Sequence, residues 1–213
     1  MTISRTPLLI GIAGGTGSGK STLAAHLLNR YSQDGSCLLE QDSYYRDRGH
    51  LGAAEREVIN YDEPEAIEHD LLLEQVKSLM AGKAIEKPVY CFKTHRRTRE
   101  VQVVNPSRLI VVEGLFALWH PRIRLLMDLK IYVDAAADLR FLRRARRDVS
   151  ERGRTITSVS EQYLQTVRPM HELHIEPTKT YADLVVENNG DVKEMLKVVQ
   201  EVVALELRKK AQD

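Results

Sequence analysis

The sequence predicts an α/β fold in which helices flank a parallel β-sheet. Short apolar runs alternate with segments of helical periodicity, which is the pattern of βαβ units. The runs are apolar throughout, as expected for strands that are buried on both faces. With 213 residues and 43% hydrophobic composition, the chain fits a single domain, residues 1–213, with a full core. A glycine-rich loop after the first run indicates which kind of parallel sheet this is.

The first strand is predicted at Leu8–Ala13, and the loop after it leads into a helix. The loop has the spacing G-x-x-x-x-G-K-S, in which Lys20 and Ser21 open the helix. Glycines let consecutive N–H groups point at a polyphosphate, a lysine neutralises the β and γ oxygens, and a serine hydroxyl ligates Mg²⁺. A flexible turn is the alternative, which the strand and helix on either side disfavour. We therefore predict a P-loop NTPase-type sheet whose phosphate-binding residues are Gly14, Gly15, Thr16, Gly17, Ser18, Gly19, Lys20, Ser21 and Thr22.

A second buried strand is predicted at Cys37–Leu39, and Asp42 follows it closely. Ligands of parallel α/β sheets bind outside the carboxyl ends of the strands, so Asp42 is expected beside the glycine-rich loop. Residues 43–62 are polar and rich in tyrosine, and long connections of this kind are often functional. A helical pattern then runs from Pro64 to a stop at Gly82.

Residues 84–104 alternate in polarity around a polar centre, which predicts a β-hairpin. Because a hairpin does not belong inside a parallel sheet, we predict that it forms a flap over the site. The next apolar run, Leu109–Glu113, ends in a carboxylate where a Walker B acid would lie. Further strands are predicted at Lys130–Asp134 and Asp183–Val186, with helices between them.

Residues 140–160 are predicted to form an arginine-rich helical lid. Seven arginines and no lysine fall between positions 140 and 154, and a helix places four of them on one face. Arginine without lysine favours bidentate binding of phosphate, and Gly153 is suited to be the hinge of a lid. The alternative is a solvated face whose charges pair with Asp148 and Glu151. Helical periodicity resumes over residues 158–176 and 192–207.

Charge and composition restrict the partners. The formal net charge is +1, from 31 basic and 30 acidic residues, so no overall field favours nucleic acid or a membrane surface. Cys37 and Cys91 are too few and too far apart for a metal site, which fits a reducing compartment. No signal peptide or membrane-spanning run is apparent. We expect small-molecule partners, no nucleic acid, no membrane, and a cytoplasmic location.

Beyond the glycine-rich loop, short motifs extend over nearly the whole chain, from about Leu8 to Val186. They are Gln41–Tyr45, Asn60–Pro64, Pro88–Tyr90, Glu113–Gly114, Arg147–Arg154 and Tyr181–Asp183. In this order they resemble the uridine kinase (uridine-cytidine kinase) family of P-loop nucleoside kinases. The glycine-rich loop is shared by many unrelated proteins, so the runs R-D-x-x-E-R-G-R and N-x-D-x-P carry most of the specificity.

The resemblance implies transfer of the γ-phosphate of ATP or GTP to the 5′-hydroxyl of uridine or cytidine, giving UMP or CMP in pyrimidine salvage. It also implies Mg²⁺ as cofactor and a homo-oligomer, commonly a tetramer. Asp42 would accept the hydroxyl proton and hold Mg²⁺ with Ser21 and Glu113. Phosphoryl transfer needs such a proton acceptor beside the metal.

Further roles follow from the same resemblance. Lys20, Arg147 and Arg152 would act in catalysis at the phosphates. Asp62 and Arg144 would hold the ribose hydroxyls. The base would be packed by Tyr61, Tyr90 and Phe92, and its edge would be read by His95, Arg154 and Gln162.

Some alternatives stay open. The aromatic residues could simply be packing, and His95 could be an exposed turn residue. Relatives commonly carry a Pro-Arg-Gly-Gly run where this chain has Glu187–Gly190, near the expected place of the donor base. Both ATP and GTP therefore stay open as the phosphate donor. A kinase of another hydroxyl acceptor, similar to phosphoribulokinase or pantothenate kinase, is the nearest alternative enzyme. A GTPase-like switch is disfavoured because the chain has no Asn-Lys-x-Asp run.

Overall fold

The computed structural model describes residues 6–57 and 59–212. Within these ranges five parallel strands form one sheet, in the order β2-β5-β1-β6-β7. The sheet strands are β1 (Leu8–Ala13), β2 (Ser36–Glu40), β5 (Leu109–Glu113), β6 (Leu129–Asp134) and β7 (Leu184–Glu187), and the antiparallel pair is β3 (Ile85–Cys91) with β4 (Arg96–Val104). The predicted parallel α/β sheet is confirmed. Of the single domain predicted over residues 1–213, residues 1–5, 58 and 213 lie outside the described part.

Helices cover both faces of this sheet. The helices of the described residues are α1 (Lys20–Arg30), α2 (Ala53–Glu57), α3 (His69–Met80), α4 (Pro121–Arg124), α5 (Ala137–Arg152), α6 (Ile156–Gln162), α7 (Arg168–Met170) and α8 (Val192–Lys209). On one face α1 and α8 bury Leu23, Leu27 and Val203 in one apolar cluster. On the other face α3 buries Leu72 and Val76 in a second cluster. Among the described helices, none is both long and apolar enough to cross a bilayer.

The register of the central strands brings their carboxyl ends to one edge. Every residue of β1 and β5 is buried, because helices cover both faces. Ile12 is paired with Glu113, and Glu113 is paired in turn with Glu40 of β2. The glycine-rich loop, the turn after β2 and the carboxylate at the end of β5 therefore meet at this edge, as the strand pattern predicts.

The predicted hairpin is present and lies outside the main sheet. Ile85, Tyr90 and Val104 pack into the cluster that also holds α3, so the hairpin is anchored at its base. Most of β4 is exposed, including Val101 and Val103. The hairpin thus projects from the domain beside the edge of the sheet where the glycine-rich loop lies.

Two predicted helices differ from the observed ones. The segment that begins at Pro64 first forms a 3₁₀ turn, and α3 begins only at His69. The helix predicted over 158–176 begins at Ile156 and contains two π-helical turns, Tyr163–Val167 and His171–Ile175. These turns flank Pro169, which has no N–H to continue the α-helical bonding.

Candidate active site

The glycine-rich loop has the conformation of an anion cradle. Gly17 and Gly19 have positive φ angles of 75° and 103°, in the region that favours glycine. A Cβ on Gly17 would lie 2.3 Å from the backbone oxygen of Arg140, and one on Gly19 would lie 2.3 Å from the side-chain nitrogen of Asn188. The loop thus curls tightly between α5 and the end of β7 before α1 begins at Lys20.

Lys20, Ser21 and Glu113 meet where α1 starts and β5 ends. Ser21 Oγ donates a 3.1 Å hydrogen bond to Oε1 of Glu113. Burial raises the pKa of Glu113, whereas the nearby ammonium of Lys20 opposes that rise. Burial likewise lowers the pKa of Lys20, although the negative charges of Glu113 and Asp42 oppose that lowering. The charged groups of Lys20, Glu113 and Asp42 therefore lie close together in a poorly solvated space.

The donor atoms at this point fit a magnesium ion. The second carboxylate oxygen of Glu113, Oε2, is buried and has no hydrogen-bond partner among the described residues. Mg²⁺ prefers oxygen ligands and needs only one or two protein carboxylates, since it keeps several waters. Glu113, Asp42 and the Ser21 hydroxyl would supply such a set. In the described part of the chain, no group of three or more His, Cys, Asp or Glu side chains is arranged to hold a metal.

Asp42 lies in a 3₁₀ turn, Gln41–Tyr44, that follows β2 directly. Its neighbour Gln41 fixes this turn, because the buried Gln41 amide oxygen accepts a 2.8 Å hydrogen bond from the backbone N–H of Phe116. Gly114 leaves room for that side chain, since a Cβ there would lie 2.4 Å from Cβ of Gln41. Gln41 is thus a supporting residue that sequence reasoning did not single out.

Aromatic rings gather on the side of Asp42 that faces the hairpin. Tyr61 stacks on His95 with ring centroids 4.7 Å apart, and Tyr45 meets Tyr90 at 5.0 Å. Phe92 packs edge-on against Tyr90 at 5.4 Å. The predicted aromatic residues therefore come together, and Tyr45 joins them although the sequence analysis gave it no role. His95 has a φ of 51°, so its backbone makes the left-handed turn at the hairpin tip.

Asp62 is buried near this aromatic cluster, and its charge acts on the Tyr45 hydroxyl. Its backbone N–H bonds to the side-chain oxygen of Asn60, and its Oδ2 accepts a 3.0 Å hydrogen bond from Thr166. Burial raises the pKa of Asp62, while the Arg144 charge and the Thr166 bond oppose that rise. Thr166 comes from the first π-helical turn, so helical periodicity in the sequence gave no sign of this contact.

The arginines of the predicted lid gather around a single carboxylate. Asp148 is fully buried, and the described arginines within 4.0 Å of its oxygens are Arg144, Arg147, Arg152 and Arg154. The sequence pattern by itself indicates Asp148 only as a charge partner on a solvated face. The segment predicted as a lid is two helices, because α5 ends at Arg152 before Gly153, whose φ is 66°, and α6 begins after the capping residue Thr155.

These arginines connect the glycine-rich loop to α6. Arg144 donates to the Thr16 hydroxyl at 3.3 Å and to Gln162 Oε1 at 2.8 Å. The same Gln162 oxygen accepts from Arg154 at 2.5 Å. The predicted residues Arg144, Arg154 and Gln162 are thus linked by hydrogen bonds.

The first turns of α5 are docked onto the glycine-rich loop. Arg143 donates a 2.9 Å hydrogen bond to the backbone oxygen of Asn188, and the Asn188 amide donates a 2.7 Å bond to the backbone oxygen of Ser18. Sequence reasoning noted the unusual run at Glu187–Gly190 but gave neither asparagine a structural role. Asn189 Oδ1 accepts a 2.7 Å bond from the N–H of Ala136, which ties this run to the start of α5.

Comparison with known proteins adds the family. A sequence model of the Phosphoribulokinase / Uridine kinase family matches residues 9–194. The uridine kinase of Brevibacillus brevis is 52% identical over 184 residues, covering 86% of this chain and 86% of the relative. The uridine kinase of Halalkalibacterium halodurans is 49% identical over 188 residues, covering 88% and 89%.

Solved structures show the same fold. Phosphoribulokinase from Rhodobacter spheroides superposes with a TM-score of 0.64 at 20% identity, over 86% of this chain and 71% of that chain. At this identity the likeness concerns the fold alone. The match of the family model and the identity to curated relatives confirm the resemblance seen in the motifs. The chain belongs to the Phosphoribulokinase / Uridine kinase family and is a P-loop kinase, a phosphotransferase with an alcohol acceptor.

Proposed function

We propose that this kinase transfers the γ-phosphate of ATP or GTP to the 5′-hydroxyl of uridine or cytidine, giving UMP or CMP. One observation carries the proposal: the Asp42 charge acts both on the residues of the phosphate cradle and on the aromatic cluster. It acts to raise the pKa of Lys20 and Glu113 and also the pKa of Tyr45 and Tyr90. A hydroxyl presented from the aromatic side would meet both a proton acceptor and the phosphate.

The chain's own residues divide the chemistry among them. Asp42 accepts the proton of the attacking hydroxyl, as a positioned carboxylate can. Lys20, Arg147 and Arg152 stabilise the charge on the transferred phosphoryl group. Ser21, Asp42 and Glu113 would hold Mg²⁺, which neutralises phosphate charge when bound.

The aromatic cluster supports a nucleoside as the acceptor. Tyr61, Tyr90 and Phe92 offer ring faces and edges to a base, and stacking of this type tolerates uracil and cytosine alike. Asp62 and Arg144 would hold the ribose hydroxyls, since a carboxylate accepts and a guanidinium donates. His95, Arg154 and Gln162 would read the edge of the base, and pocket size would reject purine nucleosides.

The location and assembly of the protein are part of the same proposal. We propose a cytoplasmic enzyme of pyrimidine salvage that works as a homo-oligomer, a tetramer by family resemblance. Its partners are then a nucleoside and a nucleoside triphosphate, without nucleic acid or membrane. The near-zero net charge and the free cysteines support this view.

A panel of acceptors tests the proposal directly. Purified protein is incubated with γ-labelled ATP or GTP and with uridine, cytidine, adenosine, ribulose 5-phosphate or pantothenate, and label transfer is measured. Transfer to both pyrimidine nucleosides, and not to adenosine, is expected. Transfer only to ribulose 5-phosphate or pantothenate would contradict the proposal and assign a different acceptor to this family member.

A further inference from the structure

Asp148 occupies an unusual position near the C-terminal end of α5. Its exposed fraction is 0%, yet four arginine side chains of the described chain approach its two oxygens. Arg147 makes the shortest contacts, from Nε at 2.9 Å and from Nη2 at 2.8 Å, both to Oδ1. Arg152 and Arg144 approach at 3.5 Å and Arg154 at 3.7 Å. One buried anion is therefore shared by four cations.

This arrangement leaves an excess of positive charge at the edge of the phosphate cradle. Within the cluster one carboxylate faces four guanidinium groups. The Asp62 charge also acts on Arg144 and Arg154 and the Asp42 charge acts on Arg152, yet positive charge remains in excess. Arg147, Arg152 and Arg154 each keep between 28% and 35% of their side chain exposed, although Asp148 is fully covered. The cluster is therefore closed on the carboxylate side and open on the arginine side.

Each arginine uses only part of its donor set on Asp148. Arg147 uses Nε and Nη2, which leaves Nη1 for another acceptor. The Nη1 of Arg152 lies 3.5 Å from Oδ1, at ion-pair distance, and its guanidinium rests over the Phe92 ring, 4.8 Å from the centroid. A phosphate could therefore bind these arginines without first displacing the carboxylate.

The backbone of Asp148 also shapes the chain that follows. Its carbonyl oxygen accepts from the N–H of Gly153, where α5 ends, and from the N–H of Arg154 at 3.1 Å. The turn brings Arg154 back toward the same side chain that holds Arg147 and Arg152. One residue thus fixes both the side chains before the turn and the arginine after it.

We propose that Asp148 is a positioning residue for phosphoryl transfer, an internal counter-ion that holds Arg147, Arg152 and Arg154 in place before the triphosphate arrives. Without it these like charges would repel each other at short range in a poorly solvated space. With Asp148 present, the arginines already have the geometry that the transferring phosphoryl group requires. Little reorganisation is then needed during the reaction. The inference rests on the proposed function only in that the arginines meet the phosphates of the donor.

If Asp148 positions the arginines, its loss should lower kcat without weakening the binding of a polyphosphate anion. In Asp148→Asn the arginines lose their anion, so their total positive charge rises while their orientation is no longer fixed. We expect kcat with uridine to fall at least about tenfold, because positioning is worth that much in catalysis. We expect the affinity for inorganic tripolyphosphate to stay equal or to become tighter, because binding of an anion depends on the summed charge. A loss of structure would instead weaken tripolyphosphate binding.

Matched variants complete the experiment. Glu151→Gln removes the same charge from an exposed position of the same helix, and its kcat should stay within about twofold of the wild type. Asp148→Glu restores the carboxylate and should recover part of the rate. The proposal is overturned if folded Asp148→Asn keeps kcat within twofold, if its tripolyphosphate affinity weakens in step with kcat, or if Glu151→Gln loses as much activity.

A second variant tests the proposal if Asp148→Asn does not fold. Arg147→Lys keeps the charge of a partly exposed residue but cannot make the side-on pair to Oδ1. It should lower kcat while tripolyphosphate binding stays within about twofold, and an unchanged kcat would overturn the proposal. Tripolyphosphate binding does not require a phosphate acceptor. These binding results can therefore be interpreted whichever acceptor the panel identifies. Failure of wild-type protein to phosphorylate uridine would contradict only the proposed function.

Discussion

The guanidinium of Arg152 lies over the ring of Phe92, 4.8 Å from the ring centroid. This contact joins the end of α5 to the hairpin, two segments that are far apart in the sequence. It is a cation–π contact at a partly exposed position, so its contribution to stability is only about 0.5–1 kcal/mol. A weak contact between two covering segments is what a lid that opens and closes requires.

Arg152→Ala should therefore lower activity far more than stability. The contact of Arg152 with phosphate would be made mainly in the closed complex, so kcat should fall strongly. The free energy of unfolding should drop by about 1 kcal/mol, as for an exposed ion pair. Steady-state kinetics and urea unfolding measure the two effects. Arg146→Ala, an exposed arginine of the same helix, is the control; a variant that melts early but keeps a normal kcat would contradict the lid.

Asp42→Asn should leave nucleotide binding nearly unchanged while it abolishes most turnover. The amide keeps the shape of the carboxylate but cannot accept the hydroxyl proton, a loss of about 10² to 10⁴ in rate. Binding of a non-hydrolysable ATP analogue and kcat with uridine are the two measurements. Asp47→Asn, in the exposed loop that follows, should behave as wild type. A near-native kcat for Asp42→Asn would remove Asp42 from the proposed mechanism.

Thr166→Val should weaken nucleoside use and shift its pH dependence. The hydroxyl of Thr166 bonds to the Asp62 carboxylate, and this bond helps to oppose the effect of burial on the Asp62 pKa. Removing it raises that pKa further, so the ionised form is lost at a higher pH as the solution is acidified. KM for uridine should rise about three- to tenfold, since a net hydrogen bond to a charged group is worth roughly 1 kcal/mol or more.

The pH profile of kcat/KM for uridine distinguishes this role from simple packing. In Thr166→Val the acidic limb should move to higher pH, whereas Thr157→Val, an exposed threonine on α6, should leave the limb in place. Superimposable profiles for wild type and Thr166→Val would show that the Asp62 carboxylate does not govern nucleoside binding.

His95→Ala should impair the use of uridine and cytidine together. Uracil offers an acceptor at its 4-position where cytosine offers a donor, and a neutral imidazole can answer either. Loss of that partner should cost about 1 to 3 kcal/mol in kcat/KM for each nucleoside. His95→Asn is the informative control, because asparagine tolerates the left-handed backbone at φ 51° and still offers one donor and one acceptor. Unchanged kinetics in His95→Ala would mean that His95 does not recognise the base and that the hairpin only covers the site.

Local sequence patterns were enough to predict the sheet and the residues that meet at its carboxyl edge. The apolar runs at Leu8–Ala13 and Leu109–Glu113 lie wholly in buried strands because a strand covered on both faces needs apolar residues at every position. Lys20, Asp42 and Glu113 could be placed together for a related reason. Each follows or ends a parallel strand, and the carboxyl ends of parallel strands meet at one edge.

The tertiary structure alone decided which groups support those residues. Thr166 reaches Asp62 across 104 positions of sequence, from a π-helical turn that no 3.6-residue periodicity can reveal. Asn188 bonds to the glycine-rich loop across 170 positions. Asp148 is spaced for pairs at i and i+4, yet its contact with Arg154 depends on the turn at Gly153. Periodicity specifies which face of a segment is apolar, whereas a shared buried charge depends on where several segments come to lie in space.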